Sequence, residues 1–183
     1  MIPSGLIQDR VERLAQCIAQ DTIGPVKACC VLKGAHVFFA HLTDCLKRLK
    51  TPKGDSIPLS FEFIKVKSYE NDHSTGQIRI SLTEEDLISF KGKDLLIVED
   101  IIDTGSTMAA LISTLKKYEP ARIRVVSLLL KKNPKSNQYV PDYVGFAIPD
   151  LFVVGYCLDY NEVFRDLDHI SVISQTGKIK YAV

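Results

Sequence analysis

The chain has 183 residues, 46% hydrophobic and 25% charged, which is enough apolar material for one well-buried core but too little for two domains. Its 23 basic and 22 acidic side chains leave a formal net charge of +1, so the composition gives no electrostatic reason to expect a nucleic-acid or membrane partner. No apolar run approaches the ~20 residues that span a bilayer, and the start MIPSGLIQDR lacks the shape of a signal peptide. We therefore expect a single cytoplasmic domain over residues 1–183.

The first third of the chain alternates helical and strand patterns. Residues 6–19 carry an apolar stripe at helical spacing, formed by Ile7, Val11, Leu14 and Ile18. Residues 26–32 (VKACCVL) form a short apolar run, which is typical of a strand buried on both faces. An amphipathic stretch at 36–49 predicts a second helix, and alternation over 57–66 predicts a second strand.

The remaining elements begin with a polar segment. Residues 67–76 (KSYENDHSTG) are rich in turn formers and lack apolar anchors, which predicts a mobile loop. After it, QIRISL and LLIVE predict strands, and residues 105–118 predict a helix with one apolar side. Further strands are predicted at IRVVSLLLK, VGFA, LFVVGYCLD and ISVIS. Strands that alternate with helices in the middle of the chain indicate an α/β fold with a parallel sheet.

The stretch LLIVEDIIDTGST at 95–107 runs an apolar strand into three carboxylates and a small-residue turn. Ligands of open α/β sheets bind just beyond the carboxyl ends of strands, so Glu99 and Asp100 are expected at the rim of that crevice and not buried in the core. Two adjacent carboxylates suit Mg²⁺ and a hydroxyl-rich ligand. The turn DTGST before a helix offers free backbone N–H groups to a phosphate. A simpler alternative is that Asp103 or Thr104 only caps the helix.

Several other functional motifs are missing from the sequence. It contains no GxxxxGK[ST] and no GxGxxG, so a Walker-type ATPase or a dinucleotide fold has no fingerprint here. Neither HExxH nor GxSxG occurs. The five cysteines show no CxxC spacing, and we expect reduced thiols and not a metal site or disulfides.

The thirteen residues 95–107 resemble the phosphoribosyl-diphosphate motif of type I phosphoribosyltransferases. Four further segments resemble the hypoxanthine-guanine members of that family: LKG (32–34), KSY (67–69), FVVGYCLDYNEVFRDL (152–167) and ISQTGK (173–178). The resemblance covers nearly the whole chain and keeps the order of the motifs. It implies a mostly parallel twisted sheet flanked by helices, with a small hood subdomain over the site. It also implies a homo-oligomer, a dimer or a tetramer.

The reaction implied by the resemblance moves a 5-phosphoribosyl group from 5-phosphoribosyl 1-diphosphate to N9 of hypoxanthine or guanine, with Mg²⁺. Glu99 and Asp100 match the pair that holds the ribose hydroxyls and the metal, and Asp159 matches a second metal contact through water. Asp103 matches the general base that accepts the proton of purine N7. A positioned base typically contributes ~10²- to 10⁴-fold to the rate.

The resemblance also assigns the anion-binding residues. Lys33 and Gly34 match the diphosphate turn, and Arg165 matches the arginine that meets diphosphate. Ser68 and Tyr69 match the loop that closes over the site and excludes water. The expected 5′-phosphate loop consists of Thr104, Gly105, Ser106 and Thr107.

The purine end of the site is assigned in the same way. Lys131 is expected to donate to the 6-oxo group, Phe152 to stack on the ring, and the Val153 backbone with Asp159 to contact the other edge. On their own, Phe152 suits an ordinary core position and Lys131 an edge lysine. Leu151 stands where the family has a lysine beside the base.

One departure concerns the start of the chain. The family carries some thirty residues before GLIQDR, including a segment that joins the hood, and here the sequence starts at Met1. A missing hood strand would expose a sheet edge or weaken assembly. The short start keeps a truncated paralogue that associates with full-length partners as one alternative. A regulatory binding module without turnover is the other, which the replacement of Asp100 or Asp103 would have favoured, and both residues are present.

Overall fold

The computed structural model describes residues 1–68 and 78–183, with side chains for 1–66 and 79–183. The loop predicted at 67–76 and Tyr69 within it therefore lie outside the described residues, except that Lys67 and Ser68 belong to a strand. Of the Ser68 side chain nothing is described. Its assignment to phosphoribosyl diphosphate, like that of Tyr69, stays a prediction.

A six-stranded sheet forms the centre of the fold, in the order β3-β2-β1-β4-β5-β6. All neighbouring strands run parallel except β2 and β3, which are antiparallel, so the prediction of a mostly parallel sheet is confirmed. Strands β1 and β4 are central and apolar, as parallel strands covered on both faces are. The strands are β1 (Val26–Leu32), β2 (Leu59–Ser68), β3 (Ile78–Ile80), β4 (Asp94–Ile102), β5 (Arg122–Lys132) and β6 (Tyr143–Pro149).

Helices cover both faces of this sheet. Helices α1 (Ser4–Gln20) and α2 (His36–Lys47) pack on one face in a core cluster that includes Cys30 and Leu96. Helix α4 (Ser106–Lys116) packs on the other face, with Cys29 and Leu95. Because successive strand residues point to opposite faces, the neighbours Cys29/Cys30 and Leu95/Leu96 divide between the two cores.

Two short helices were not predicted from the sequence. Helix α3 (Glu84–Ile88) begins with a capping box, in which the Thr83 and Asp86 side chains each bond the other residue's backbone N–H. Helix α5 (Gln175–Lys180) is capped by Ser174, whose hydroxyl accepts a hydrogen bond from the backbone N–H of Gly177. Helices of five and six residues are too short to show an apolar stripe, so only their caps could have indicated them.

The strand predicted at LFVVGYCLD is mostly wrong. Only Val153–Val154 form a strand, β7, which pairs with β8 (Ser171–Val172). The next three residues, 155–157, have φ of 96°, 51° and 74°, and a left-handed backbone cannot continue a strand. Ile170, the residue before β8, forms an isolated antiparallel bridge with Ile2. The small β7-β8 sheet corresponds to the predicted small subdomain.

The amino ends of the strands are joined by a buried cation. Arg124 of β5 is 0% exposed, and its guanidinium donates to both oxygens of Asp94 on β4, at 3.3 and 2.7 Å. It also donates to the hydroxyl of Thr22, just after α1, at 3.1 Å. The Tyr143 hydroxyl of β6 donates to Asp21 at 2.8 Å. This network ties β4, β5, β6 and the end of α1 together.

Two expectations from composition concern the chain as a whole. Within the described residues, no helix is both long and apolar enough to cross a membrane. All five cysteines are free thiols in the structure. Burial raises the pKa of Cys29 and of Cys30 to about 12, so both stay protonated near neutral pH.

Candidate active site

A cleft of about 460 Å³ opens at the carboxyl ends of β1, β4 and β5. The chain leaves β1 toward β2 on one side and later continues from β4 to β5 on the other, so strand order reverses between β1 and β4. Such a reversal leaves a crevice outside the strand ends. Ten residues predicted from the sequence line this cleft: Lys33, Gly34, Glu99, Asp100, Asp103, Lys131, Phe152, Val153, Asp159 and Arg165.

The acidic pair lies deeper than the sequence predicted. We expected Glu99 and Asp100 beyond the strand end with unburied charges, but β4 continues to Ile102 and both side chains are half-buried. Burial, and then the charge of Asp100, raise the pKa of the Glu99 carboxyl well above its usual range. Burial also raises the pKa of the Asp100 carboxyl, against hydrogen bonds with Glu99 and from the Ile101 backbone N–H. A cation bound beside the pair would stabilise both charged forms.

Gly34 lies directly against this pair. A methyl group at Gly34 would overlap the carboxylate of Asp100. The turn that follows β1 can therefore approach the end of β4 only because residue 34 has no side chain. As a result, the backbone at Lys33 and Gly34 forms one wall of the cleft.

The cations predicted to bind diphosphate are held by carboxylates. Lys33 Nζ lies 3.1 Å from Glu162 Oε2, and a guanidinium nitrogen of Arg165 lies 2.7 Å from Asp159 Oδ1 and 3.4 Å from Glu162 Oε1. Another Arg165 nitrogen donates to the Cys157 carbonyl at 2.6 Å. Glu162 was not predicted, although it lies three residues after Asp159 in the quoted motif.

Asp103 lies between two donors from the end of β5. Lys131 Nζ donates to its Oδ2 at 2.9 Å, and the Asn133 amide donates to its Oδ1. Partial burial opposes ionisation of Asp103, but these hydrogen bonds and the Lys131 charge prevail and lower the pKa of its carboxyl. Lys131, only 11% exposed, also lies 3.7 Å from Asp150. Neither Asn133 nor Asp150 was predicted, because the contacts arise between residues far apart in sequence.

The predicted phosphate loop, 104–107, lies beside the cleft and not in its lining. Gly105 precedes helix α4 with φ of 81° and no side-chain cap. The Ser106 backbone N–H is 3.4 Å from the Thr104 hydroxyl, and Asp103 points to Lys131. The alternative that Asp103 only caps the helix is therefore wrong. Ser106 and Thr107 are exposed, so their groups remain accessible to a ligand.

Phe152 and Val153 line the cleft at the point where the chain enters β7. The Phe152 side chain is 42% exposed and its ring meets Tyr160 edge to face at 5.4 Å. It is not an ordinary core residue. Val153 is buried and lines the cleft.

The three carboxylates expected to bind metal do not form one group. Among the described residues, no three His, Cys, Asp or Glu side chains come together as a metal site. Asp159 is instead bound to Arg165 and accepts the Glu162 backbone N–H at 2.8 Å. Glu99 and Asp100 are therefore separate from Asp159 as possible metal ligands.

Known proteins of one family are similar to this chain over most of its length. The family model of the phosphoribosyl transferase domain matches residues 4–161. Hypoxanthine-guanine phosphoribosyltransferases of Bos taurus and Homo sapiens are each 54% identical over 181 residues, covering 98% of this chain and 83% of theirs.

Solved structures are similar along almost the whole chain. A hypoxanthine phosphoribosyltransferase from Trypanosoma cruzi, complexed with the product IMP, matches with a TM-score of 0.87 and 31% identity, over 100% of this chain and 93% of that one. A hypoxanthine-guanine phosphoribosyltransferase from Bacillus anthracis matches with a TM-score of 0.81 and 31% identity, over 95% and 97%.

The turn at Gly105 generates a stability prediction. Gly105→Ala adds a methyl group in a left-handed conformation, where it would overlap the Asn137 side chain and lie 2.9 Å from Tyr139 Cβ. Gly54→Ala is the matched control, because φ is 87° there and nothing lies within 4 Å. We expect the control to lose about 1–2 kcal/mol of unfolding free energy from backbone strain, and Gly105→Ala to lose a further ~1–3 kcal/mol from overpacking. Urea denaturation measures the unfolding free energy of both variants. Equal losses would contradict the predicted overlap between a methyl group at position 105 and the Asn137 side chain.

Proposed function

The chain belongs to the phosphoribosyltransferase family, among its hypoxanthine-guanine members, and we propose that it carries out their purine-salvage reaction with the residues of the cleft described above. The reaction transfers the 5-phosphoribosyl group from 5-phosphoribosyl 1-diphosphate to N9 of hypoxanthine or guanine, giving IMP or GMP and diphosphate. The observation that carries this proposal is the convergence of an acidic pair, two anion-binding cations and an Asp–Lys pair on one cleft.

The acidic pair fits Mg²⁺ as the required metal. Glu99 and Asp100 are half-buried carboxylates whose pKa values are raised, and a divalent ion beside them would relieve that cost. Proteins usually hold Mg²⁺ through one or two carboxylates plus substrate oxygens, so a full protein cage is not needed. Asp159 would hold a second ion through water. Bound Mg²⁺ would supply charge neutralisation to the diphosphate leaving group.

The anion-binding groups support the phosphate assignments. Lys33 and Arg165 each form an ion pair with Glu162. Diphosphate would replace the Glu162 carboxylate as the anion that these two cations bind. The exposed residues Ser106 and Thr107 begin helix α4, where the helix dipole favours a 5′-phosphate. The transition state resembles an oxocarbenium ion, so these contacts act mainly on the departing charge.

Asp103 and Lys131 would act together on the purine. When a 6-oxopurine enters, the Lys131 ammonium would turn from Asp103 to O6, and the released carboxylate would accept the proton of N7 as N9 bonds to the sugar. Because the pKa of Asp103 is lowered, its carboxylate is ionised and able to accept a proton at neutral pH. Phe152 would stack on the ring, with the Val153 backbone and Asp159 at the other edge.

We also propose that the protein is a homo-oligomer. Phe61 and Phe63 of β2 are 42% and 46% exposed, and both rings contact Phe39 of α2 at centroid distances of 5.4 and 5.6 Å. Exposed aromatic clusters of this kind are typical of protein interfaces. In a similar hypoxanthine phosphoribosyltransferase from Trypanosoma cruzi, the C-terminal region has a role in the oligomeric state and the enzymatic activity.

The activity is tested with the purified chain, hypoxanthine or guanine, 5-phosphoribosyl 1-diphosphate and Mg²⁺. We expect IMP or GMP to form with both bases, and excess chelator to abolish turnover because the leaving diphosphate is then not neutralised. Size-exclusion chromatography of the same sample reports the assembly. A folded oligomer that makes no nucleotide would favour a binding module, and turnover that survives chelation would contradict the metal requirement.

Replacement of the proposed base tests its role directly. Asp103→Asn keeps the size of the side chain but removes the proton acceptor, so kcat should fall by ~10²- to 10⁴-fold while the KM for phosphoribosyl diphosphate changes little. Initial rates with hypoxanthine measure both constants. If kcat is unchanged and only that KM rises, Asp103 is a ligand contact and not the base.

Lys131 is predicted to select 6-oxopurines over adenine. Its ammonium donates hydrogen bonds and cannot accept them, so it pairs with O6 but faces the amino group of adenine donor to donor. A buried donor without a partner costs ~1–3 kcal/mol, more when charged. Lys131→Met should therefore lower kcat/KM for hypoxanthine and guanine far more than for adenine. Rates with all three bases decide this, and a base preference unchanged by the substitution would refute the assignment.

A further inference from the structure

Both oxygens of the Asp103 carboxylate are engaged, but by donors of different kinds. Oδ2 accepts from the charged Lys131 at 2.9 Å, and Oδ1 accepts from the neutral amide of Asn133. The Asp103 side chain is 46% exposed, so burial alone does not fix its orientation. The proposed transfer requires Lys131 to leave for the purine, after which Asn133 is the donor that remains of these two.

The Asn133 amide is itself held in one orientation. Its Oδ1 accepts the Lys135 backbone N–H at 2.8 Å, and its backbone carbonyl accepts the Ser136 N–H at 3.0 Å. Flipping the amide would place its NH₂ against the Lys135 N–H and its oxygen against the Asp103 carboxylate, which loses both bonds. The loop is also tethered by the Asn137 N–H, which donates to the Thr104 carbonyl at 2.9 Å.

We propose that Asn133 is a positioning residue for the transfer reaction, which holds the Asp103 carboxylate through Oδ1 so that Oδ2 faces the purine. The inference rests on the proposed role of Asp103 as the base. In the step it supports, the N7–H bond of the purine breaks, its electron pair stays on the ring, and a new O–H bond forms at Oδ2. Asn133 gives and takes no proton.

A neutral amide suits this task better than a charged donor. It restrains rotation of the carboxylate but leaves the full negative charge available to the purine proton, whereas a second cation at Oδ1 would lower the basicity of Asp103 further. The charged side chain that contacts Asp103 is Lys131, which in turn lies 3.7 Å from Asp150. Both lie on the Oδ2 side, so Asn133 alone restrains Oδ1 among the described contacts.

The test uses Asn133→Asp in the full chain. Aspartate keeps the acceptor for the Lys135 N–H, and so the turn, but it replaces the donor to Asp103 with a carboxylate. Asn137→Asp is the matched control, because Asn137 makes the same kind of turn, accepting the Tyr139 N–H at 3.0 Å, without contact to Asp103. We expect Asn133→Asp to lower kcat by about tenfold or more, with the KM for phosphoribosyl diphosphate within about twofold, and Asn137→Asp to keep kcat within about twofold.

A second arm shows whether Asn133 acts through Asp103. In the Asp103→Asn background, adding Asn133→Asp should change kcat by less than about twofold, since the base it orients is already gone. Losses that multiply in the double variant, or a wild-type kcat in folded Asn133→Asp, would overturn the proposal while leaving the wild-type reaction intact. If Asn133→Asp does not fold, Asn133→Ser takes its place with the same expectations, because its hydroxyl can still accept in the turn and is too short for Asp103.

Discussion

The half-buried pair of Glu99 and Asp100 is the constraint around which the rest of the site is arranged. Burial removes part of the hydration of these two carboxylates and raises the pKa of both groups, and the charge of Asp100 raises the pKa of Glu99 further. The surrounding structure makes room for a ligand to relieve this cost. The turn at Gly34 passes so close to Asp100 that a side chain there would occupy the carboxylate position.

Strand β4 has acidic side chains near both ends, and the charges at the two ends have different partners. At its start, Asp94 is permanently paired with the buried Arg124, which also binds α1 through Thr22. At its other end, Glu99 and Asp100 line the cleft, and the hydrogen bonds to Asp100 together with the charge of Arg165 do not offset the burial that raises its pKa. A buried cation left without its partner is strongly destabilising, so the first pair belongs to the fold. The second pair is where we propose that a ligand cation binds.

The cations of the cleft are each held by a carboxylate that a substrate could replace. Lys33 is held by Glu162, Arg165 by Asp159 and Glu162, and Lys131 by Asp103. These pairs keep long side chains near their binding positions and so reduce the ordering cost when an anion or a 6-oxopurine enters. In the proposed reaction, release of Lys131 toward O6 would also free the oxygen of Asp103 that accepts the proton.

The sequence by itself determined the central sheet and the acidic stretch. Strand β1 was predicted to the residue, because a buried parallel strand is a continuous apolar run bounded by turns. Residues 95–107 pointed to the site because Glu99, Asp100 and Asp103 are close along the chain, and strand-end chemistry is readable locally. The resemblance to a family added Lys33, Lys131 and Arg165, which no local pattern identifies.

Only the tertiary structure decided what depends on distant contacts. The left-handed turn after Val154 replaced the predicted strand, where a side chain on Gly155 would meet the His169 carbonyl, fourteen positions along the chain. The bond from Asn133 to Asp103 joins positions 30 apart, and the pair of Lys33 with Glu162 joins positions 129 apart. The depth of Glu99 likewise follows from how far β5 pairs along β4. Sequence patterns report periodicity and turns over a few residues, whereas burial and pairing at the site are set by which strands become neighbours.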